Sequence, residues 1–407
     1  MAEVQAMTEP TIGERIRTLR RPTFTQTDLA AAADVSVDVI RKLEQGRRHT
    51  ASIATLARIA RALDVDVAEL LGPSRPAPST GENQARIWAI RDALTSVDDL
   101  LGELDDADAP DLTELARAVT YGWGLYWSGR YGPLAAMLPR LLTEAAATTH
   151  AAAAGDGHAA DLAGQIHELT ASTLVRLGAA DLGHVAAREA LRLAAAAPDP
   201  LRATVARCTL GSVLIGQGRF IDAERVAGAT AEQVQPKGDV SPAQLTVYGG
   251  VLLLGATAAA RQGRAGSATE LLDEAAEIAE RTEVDRTDYE IVFGPGNLIV
   301  QSTDVAVVAE DYVGAAKVAR RMPRNSALPL AARSRHLVDV AHVQLRLGHT
   351  QAAESALLTM ERAAPEWTAH HRLPRVLVGE LLTRGRPSAR LRDLAHRLST
   401  TRSPQPS

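Results

Sequence analysis

The chain has 407 residues, 46% hydrophobic but only 3% aromatic, and a formal net charge of −5. Ala, Leu and Val therefore supply most of the apolar surface, the mixture of closely packed helices rather than sheets, and an almost all-helical protein is expected, with two or three domains or one small domain plus an extended array. The single cysteine, Cys208, excludes an internal disulfide framework and any zinc site built on several thiolates.

Residues 1–10 contain acids and no apolar run of signal-peptide type, and read as disordered. A first helix from Ile12 to Arg21 turns Ile16 and Leu19 inward and ends at Pro22. The stretch TQTDLAAAADVSVDVIRKLEQG, Thr25 to Gly46, reads as a helix, a tight turn and a second helix. Thr25 with Asp28 forms a capping box for a helix from Gln26 to about Ala33. Asp34 and Val35 turn the chain, Ser36 caps a helix running to Gln45, and Gly46 stops it. Leu29, Val35, Ile40 and Leu43 are spaced to meet between the two helices, which leaves Val37, Asp38, Arg41 and Lys42 pointing outward. Ser52 caps another helix ending near Leu63, and Asp66 with Glu69 opens the short helix VAELL. Residues 11–63 hold ten Arg/Lys against five Asp/Glu, so a local +5 sits in a chain whose remainder is −10.

On these residues the segment 12–71 resembles the XRE (lambda-repressor and Cro-like) family of five-helix DNA-binding domains. The caps, the turn, the LEQGRR stop and the ARIARAL helix occur in the family's order. The resemblance implies base reading by Val37, Asp38, Arg41 and Lys42, and phosphate contacts from Gln26, Ser36, Arg47, Arg48 and Thr50. Two departures stand out. Asp34 occupies a turn position that is usually Gly, and the connection RPTF before the second helix is about one residue short.

The sequence GPSRPAPSTGENQ, residues 72–84, reads as a linker that holds no helix, and a helix is expected from about Ala85 to Leu101. The acidic stretch DDLLGELDDADAPD that follows reads as a solvated loop, with a tail competing with DNA as the alternative. From Asp111 to about Leu398 a unit recurs: apolar helix, Gly-containing turn, second helix. The turns fall at Gly129, Gly178, Gly218, Gly263 and Gly348, with a degenerate copy near Asp311, and Ala223, Ala268 and Ala353 each follow a turn glycine by five residues. The pattern resembles a tetratricopeptide-type α-solenoid, although glycine intervals of 49, 40, 45 and 85 residues exceed the strict 34-residue period. Residues 85–398 are assigned to this array and 399–407 to a disordered tail. The pairing of such a reader with such an array, together with FGPGN (Phe293–Asn297) and ERAAPEW (Glu361–Trp367), is similar to a family of regulators in high-GC actinobacteria.

The segment YGWGLYWSGRY, Tyr121 to Tyr131, holds five of the chain's thirteen aromatic residues. Trp123, Tyr126 and Trp127 are candidates for core packing at the start of the array or for lining a ligand pocket. FGPGN and GSVLIGQGRF read as turn glycines, since neither is expected to follow a strand and neither carries the Lys-Ser/Thr of a phosphate loop. His370 and His371 should diverge on a helix, and neither they nor His336 and His342 complete a metal set. No nucleophile-and-base arrangement is legible, so neither an enzyme nor a cofactor is expected. The apolar run Val247–Ala260 is too short to span a bilayer, and a cytoplasmic protein without membrane contact is expected.

These readings converge on a sequence-specific DNA-binding transcriptional regulator on a palindromic double-stranded operator. The array would supply homodimerisation and sense a peptide, small-molecule or protein effector. Two alternatives remain beside it: a peptide-pheromone-responsive regulator, disfavoured by having only Asn83, Asn297 and Asn325, and an interaction scaffold whose DNA-binding domain is incidental.

Overall fold

A computed structural model of the chain describes residues 11–20, 24–46, 51, 53–63, 65, 70, 81–101, 109–152, 156–323, 326–384 and 387–400. The fold is all-α apart from one short β-hairpin. Helices α1 (Ile12–Arg20), α2 (Gln26–Ala32), α3 (Val37–Glu44) and α4 (Ile53–Ala62) enclose Ile16, Leu29, Ile40, Leu43, Leu56, Ile59 and Leu70, all buried. Helix α1 can cross α3 closely only because residue 13 is glycine: a Cβ there would stand 1.9 Å from the Leu43 carbonyl oxygen. The expected stop at Pro22, the Ser52 cap and the Asp66–Glu69 box lie outside the described residues, as do 72–80 of the expected linker and 102–108 of the acidic stretch.

Two boundaries differ from expectation. Helix α5 (Gly81–Leu94) begins four residues ahead of Ala85, so residues 81–84 of the expected linker are helical. Ile87 and Ile90 are buried and anchor it, and Glu82 pairs with Arg86 one turn on, which supports the extra turn. The expected continuation to Leu101 breaks at Thr95–Val97. Ser96 Oγ accepts from the Asp98 amide at 3.1 Å and starts a separate short helix, α6 (Asp98–Leu101).

The array consists of six helical hairpins. Inner helices α7 (Leu112–Trp127), α9 (Gly157–Arg176), α11 (Leu201–Gly216), α13 (Pro242–Arg261), α15 (Pro295–Val308) and α17 (Leu330–Arg346) alternate with outer helices. The outer set is α8 (Tyr131–Ala151), α10 (Ala180–Ala194), α12 (Phe220–Val234), α14 (Ala265–Thr282), α16 (Tyr312–Ala319) and α18 (Thr350–Ala363). Each inner helix packs on the next, as in a tetratricopeptide-like solenoid, but here the last, α17, also meets the first, α7. The inner helices therefore form a closed ring. Helices α19 (Pro365–His370), α20 (Arg372–Thr383) and α21 (Ala389–Thr400) fill the seam, so Leu115 and Trp123 share one core with Val338, Leu345, Trp367 and Leu377. Helix α21 runs to Thr400, two residues into the expected disordered tail.

All six turns within hairpins were legible, and one chemistry makes them. Gly129, Gly178, Gly218, Gly263 and Gly348 have φ between 75° and 85°, the left-handed backbone that ends a helix. The residue after each donates its N–H five residues back, as Arg219 does to the Leu214 carbonyl at 2.9 Å. In the degenerate copy Glu310 takes that role at φ 61°, and Asp311 N–H reaches Ala306 O at 3.0 Å. Five residues beyond the turns, Ala223, Ala268, Ala315 and Ala353 are fully buried between helices.

The hairpin of β1 (Arg286–Asp288) and β2 (Ile291–Phe293) is unforeseen; Tyr289 and Glu290, both at positive φ, form its two-residue turn. It corrects the reading of FGPGN, which does follow a strand and does open a helix. No phosphate loop results, because Asp285 Oδ1 already accepts from the amides of Gly296 (2.8 Å) and Asn297 (3.0 Å) at the start of α15. The apolar run near Val247 also needs correction: it belongs to the 20-residue α13, long and apolar enough by length and composition to cross a membrane, yet mostly buried inside the ring.

The turns generate a stability prediction. A Cβ at Gly218 or Gly348 meets nothing within 4 Å, so Gly→Ala there isolates the backbone cost, about 1 kcal/mol or more. Glu310→Gly removes the same strain and should gain up to about 1 kcal/mol. Urea midpoints of the full-length protein should move down for the first pair and up for the third, with unchanged slopes.

Candidate nucleic-acid interface and central cavity

The helix-turn-helix pair is built as its sequence requires. Thr25 and Asp28 form the reciprocal capping box of α2: the Thr25 side chain accepts from the Asp28 amide and Asp28 Oδ2 accepts from Thr25 N–H at 2.9 Å. Asp34 takes φ 50°, and Val35 N–H reaches Ala30 O at 2.9 Å. From behind, Arg58 of α4 donates to the Asp34 carbonyl at 3.1 Å and holds the turn. Ser36 Oγ accepts from the Val39 amide at 3.4 Å and starts α3.

At the far end of α3, Glu44 is the clamp. Its carboxylate takes two hydrogen bonds from Arg20 of α1, at 2.7 and 3.1 Å, and one from Gln26 Nε2 of α2 at 2.7 Å. Burial works against the ionised carboxyl, but the Arg20 and Gln26 hydrogen bonds outweigh it and hold Glu44 below the usual carboxylate range. Three helices are thereby fixed to one carboxylate.

Asp38, Arg41 and Lys42 all stand exposed on the outer face of α3, as expected. Gln45, one turn past Arg41, is exposed beside them and was not singled out by the sequence. Asp38 and Lys42 pair at 2.7 Å, half-exposed, and the Lys42 hydrogen bond keeps the Asp38 carboxyl below its usual range. A solvent-exposed pair of this kind contributes little, so Lys42 can exchange Asp38 for another acceptor at small cost. Two expectations change. Val37 is half-buried against the domain core rather than outward. Gln26 sits at the start of α2 as read, but its amide nitrogen is engaged by Glu44, which makes it a brace between helices instead of a free phosphate donor. Ser36 is exposed at its cap; Arg47, Arg48 and Thr50 lie outside the described residues.

The domain touches the ring at one described hydrogen bond, from Arg61 Nη2 of α4 to the Gln262 carbonyl at 3.0 Å, beside Gly263 and the end of α13.

Inside the ring lies a cavity of about 440 Å³ walled by all six inner helices and the hairpin. Trp123, Tyr126 and Trp127 are in its wall and also pack on one another edge to face: the Tyr126 ring centroid lies 5.4 Å from that of Trp123 and 5.1 Å from that of Trp127. Trp127 Nε1 donates to Glu290 of the hairpin at 2.7 Å. His370 and His371 do not diverge. Helix α19 ends at His370 and His371 is extended, so both rings approach Tyr131, and His371 stacks on Trp367 at 3.6 Å. Burial and the nearby Arg176 push His371 down to about 3, so its ring is neutral. Across the cavity, Asp304 pairs with Arg261 at 3.4 Å and with Arg335, which also pairs with Asp339 at 3.0 Å. No group of three or more His, Cys, Asp or Glu that could hold a metal is assembled among the described residues.

Glu168 of α9 was not identified from the sequence, where it is one acid on a mixed helix. It is buried in the cavity wall, and burial, reinforced by Asp161 and Glu290 against the opposing pull of Arg202, raises it to about 8. A carboxyl that titrates near 4.5 unfolded and near 8 folded binds its proton more tightly in the folded state. Stability is then full below pH 4.5 and declines as pH rises to about 8. Glu168→Gln should melt alongside the wild type near pH 5 and above it near pH 8.5, in thermal unfolding followed by circular dichroism. Parallel curves would show that Glu168 is ionised in the folded protein.

Comparison with known proteins bears on both units. Residues 11–71 match the family model described as a helix-turn-helix domain. No curated protein matches the chain. Among solved structures it is similar, with 13% identity and a TM-score of 0.35 over 63% of this chain and 97% of the other, to one described as the functional characterization of Pseudomonas aeruginosa pilF. The chain thus joins a helix-turn-helix domain, residues 11–71, to a tetratricopeptide-like helical array.

Proposed function

We propose that the chain is a sequence-specific DNA-binding transcriptional regulator of the XRE type, similar to those of actinobacteria, acting in the cytoplasm without a catalytic step of its own. The observation that carries this reading is the exposed Asp38, Arg41 and Lys42 face of α3, on a helix capped by Ser36, clamped by Glu44 and set in a locally basic domain. A helix so presented suits the major groove, where a cation donates to guanine O6 and N7 and a carboxylate accepts from cytosine N4. One such reader covers a small interface, so two copies on a palindromic operator are needed for useful selectivity, and the array is the part available to pair them. The same array is the effector-sensing part of this reading.

The test is a gel-shift series on genomic fragments and scrambled duplexes at several salt concentrations. Lys42→Ala should cost roughly 1–3 kcal/mol on the operator and relax preference at one base pair. Arg48→Ala, at the phosphate position implied by the family resemblance, should weaken both duplexes alike and lower the salt slope by about one unit per chain. Footprints should show half-sites roughly 10–11 base pairs apart. A protein that binds operator and scrambled DNA equally, or stays monomeric on its operator, overturns the proposal.

A further inference from the structure

The charges on the cavity wall are unevenly matched. Of its three arginines, Arg261 and Arg335 share Asp304, and Arg335 also holds Asp339. Arg176, at the end of α9, has no carboxylate partner among the described residues: Nε donates to Tyr126 Oη at 3.2 Å and the guanidinium lies 6.0 Å from the Tyr126 ring centroid. That leaves its two terminal nitrogens without an acceptor among the described residues, and the side chain is exposed where it lines the cavity. Neighbouring His371 is neutral and adds no competing charge.

Along the same face of α9, Ser172 and Glu168 follow one and two turns back, about 6 and 12 Å down the axis. Glu168 is 3% exposed and makes no hydrogen bond or ion pair among the described residues, and Trp123 Nε1 is a buried donor without an acceptor among them. Arg176 is thus the one wall arginine without a carboxylate partner among the described residues, and Glu168 and Glu290 are the wall acids without an ion pair among them. Buried polar groups are almost always partnered, and a wall that sets two unpartnered ones, Glu168 and Trp123 Nε1, beside an open guanidinium offers all three to a ligand. The rest of the lining mixes apolar and aromatic side chains with polar ones such as Thr209, Ser212, Thr257 and Gln301, and about 440 Å³ falls in the range of small-molecule sites. An extended peptide suits it less: Asn297 is the asparagine in the wall, and its Nδ2 already donates to the Val292 carbonyl at 2.7 Å.

We propose that the ring cavity binds a small amphipathic organic anion, whose carboxylate, sulfonate or phosphate is taken by the terminal nitrogens of Arg176. Its apolar body lies along Trp123, Tyr126 and Trp127, and a polar substituent reaches Ser172 and Glu168. This names the ligand class for the sensing role proposed above and rests on that role for its biological consequence, not for the binding itself.

Three of the four tryptophans, Trp123, Trp127 and Trp367, line the cavity, while Trp88 is exposed elsewhere, so tryptophan-sensitised fluorescence reports occupancy. The probes are 1-anilinonaphthalene-8-sulfonate and its uncharged relative N-phenyl-1-naphthylamine, added to the full-length protein. The sulfonate should bind at one per chain. Arg176→Gln should weaken it roughly tenfold or more and leave the uncharged probe nearly unchanged. Ser172→Phe, which fills the cavity, should exclude both. If Arg176→Gln fails to fold by circular dichroism, Arg176→Lys should retain the sulfonate while Ser172→Phe excludes it. Equal loss of both probes in Arg176→Gln, or sulfonate retained in Ser172→Phe, overturns the assignment. None of these readouts involves DNA, so a failure to shift operator fragments would overturn the regulator reading and leave this site standing.

Discussion

Closure of the array is the constraint on which the rest of the molecule depends. A solenoid of helical hairpins ordinarily leaves its concave face open and its ends apart. Here α17 packs against α7, and the last helices wedge Trp367, Leu377 and Leu381 into the core begun by Leu115 and Val119. Residues some two hundred and fifty positions apart therefore stabilise one another, and the six inner helices face a common interior cavity. Buried charge in that interior is tolerated where it is matched, as at Asp304 between Arg261 and Arg335. Where it is not matched, as at Glu168, the group shifts its titration instead.

The helix-turn-helix domain is organised by a different set of contacts. Its core is small, so geometry is fixed by a few polar ties that cross between helices: Glu44 to Arg20 and Gln26, and Arg58 to the turn at Asp34. Each tie is worth only about 1–3 kcal/mol, yet together they set the angle at which α3 presents Asp38, Arg41 and Lys42. Gly13 completes the arrangement by letting two backbones approach where any side chain would collide.

Local chemistry was legible in the sequence wherever it is decided by neighbours in the chain. The caps at Thr25 and Ser36 and the left-handed turns at the five glycines are of this kind, because each depends on one or two side chains and their own backbone. The degenerate turn at Glu310 was placed without glycine, since the flanking apolar pattern persists. What escaped was non-local. Ring closure, the neutral Glu168 and the convergence of His370 and His371 on Tyr131 all arise from segments that meet only after folding. Gln26 shows the limit within a motif: its position was legible, but whether its amide faced outward or toward Glu44 depended on an acid eighteen residues away. The hairpin before FGPGN is too short to carry a strand pattern, and was hidden for that reason.

One peptide bond joins the interior of the ring to the helix-turn-helix domain. Arg261 ends α13 and reaches Asp304 across the cavity, while the carbonyl of the next residue, Gln262, accepts from Arg61 of α4. Consecutive Cα atoms are held about 3.8 Å apart, and a helix terminus moves as a rigid end rather than residue by residue. The last turn of α13 thus has one contact in the cavity and the next on α4 of the helix-turn-helix domain. Any rearrangement of the Arg261–Asp304–Arg335 cluster that tilts this turn alters the seat of α4, and through Arg58 the turn from which α3 departs.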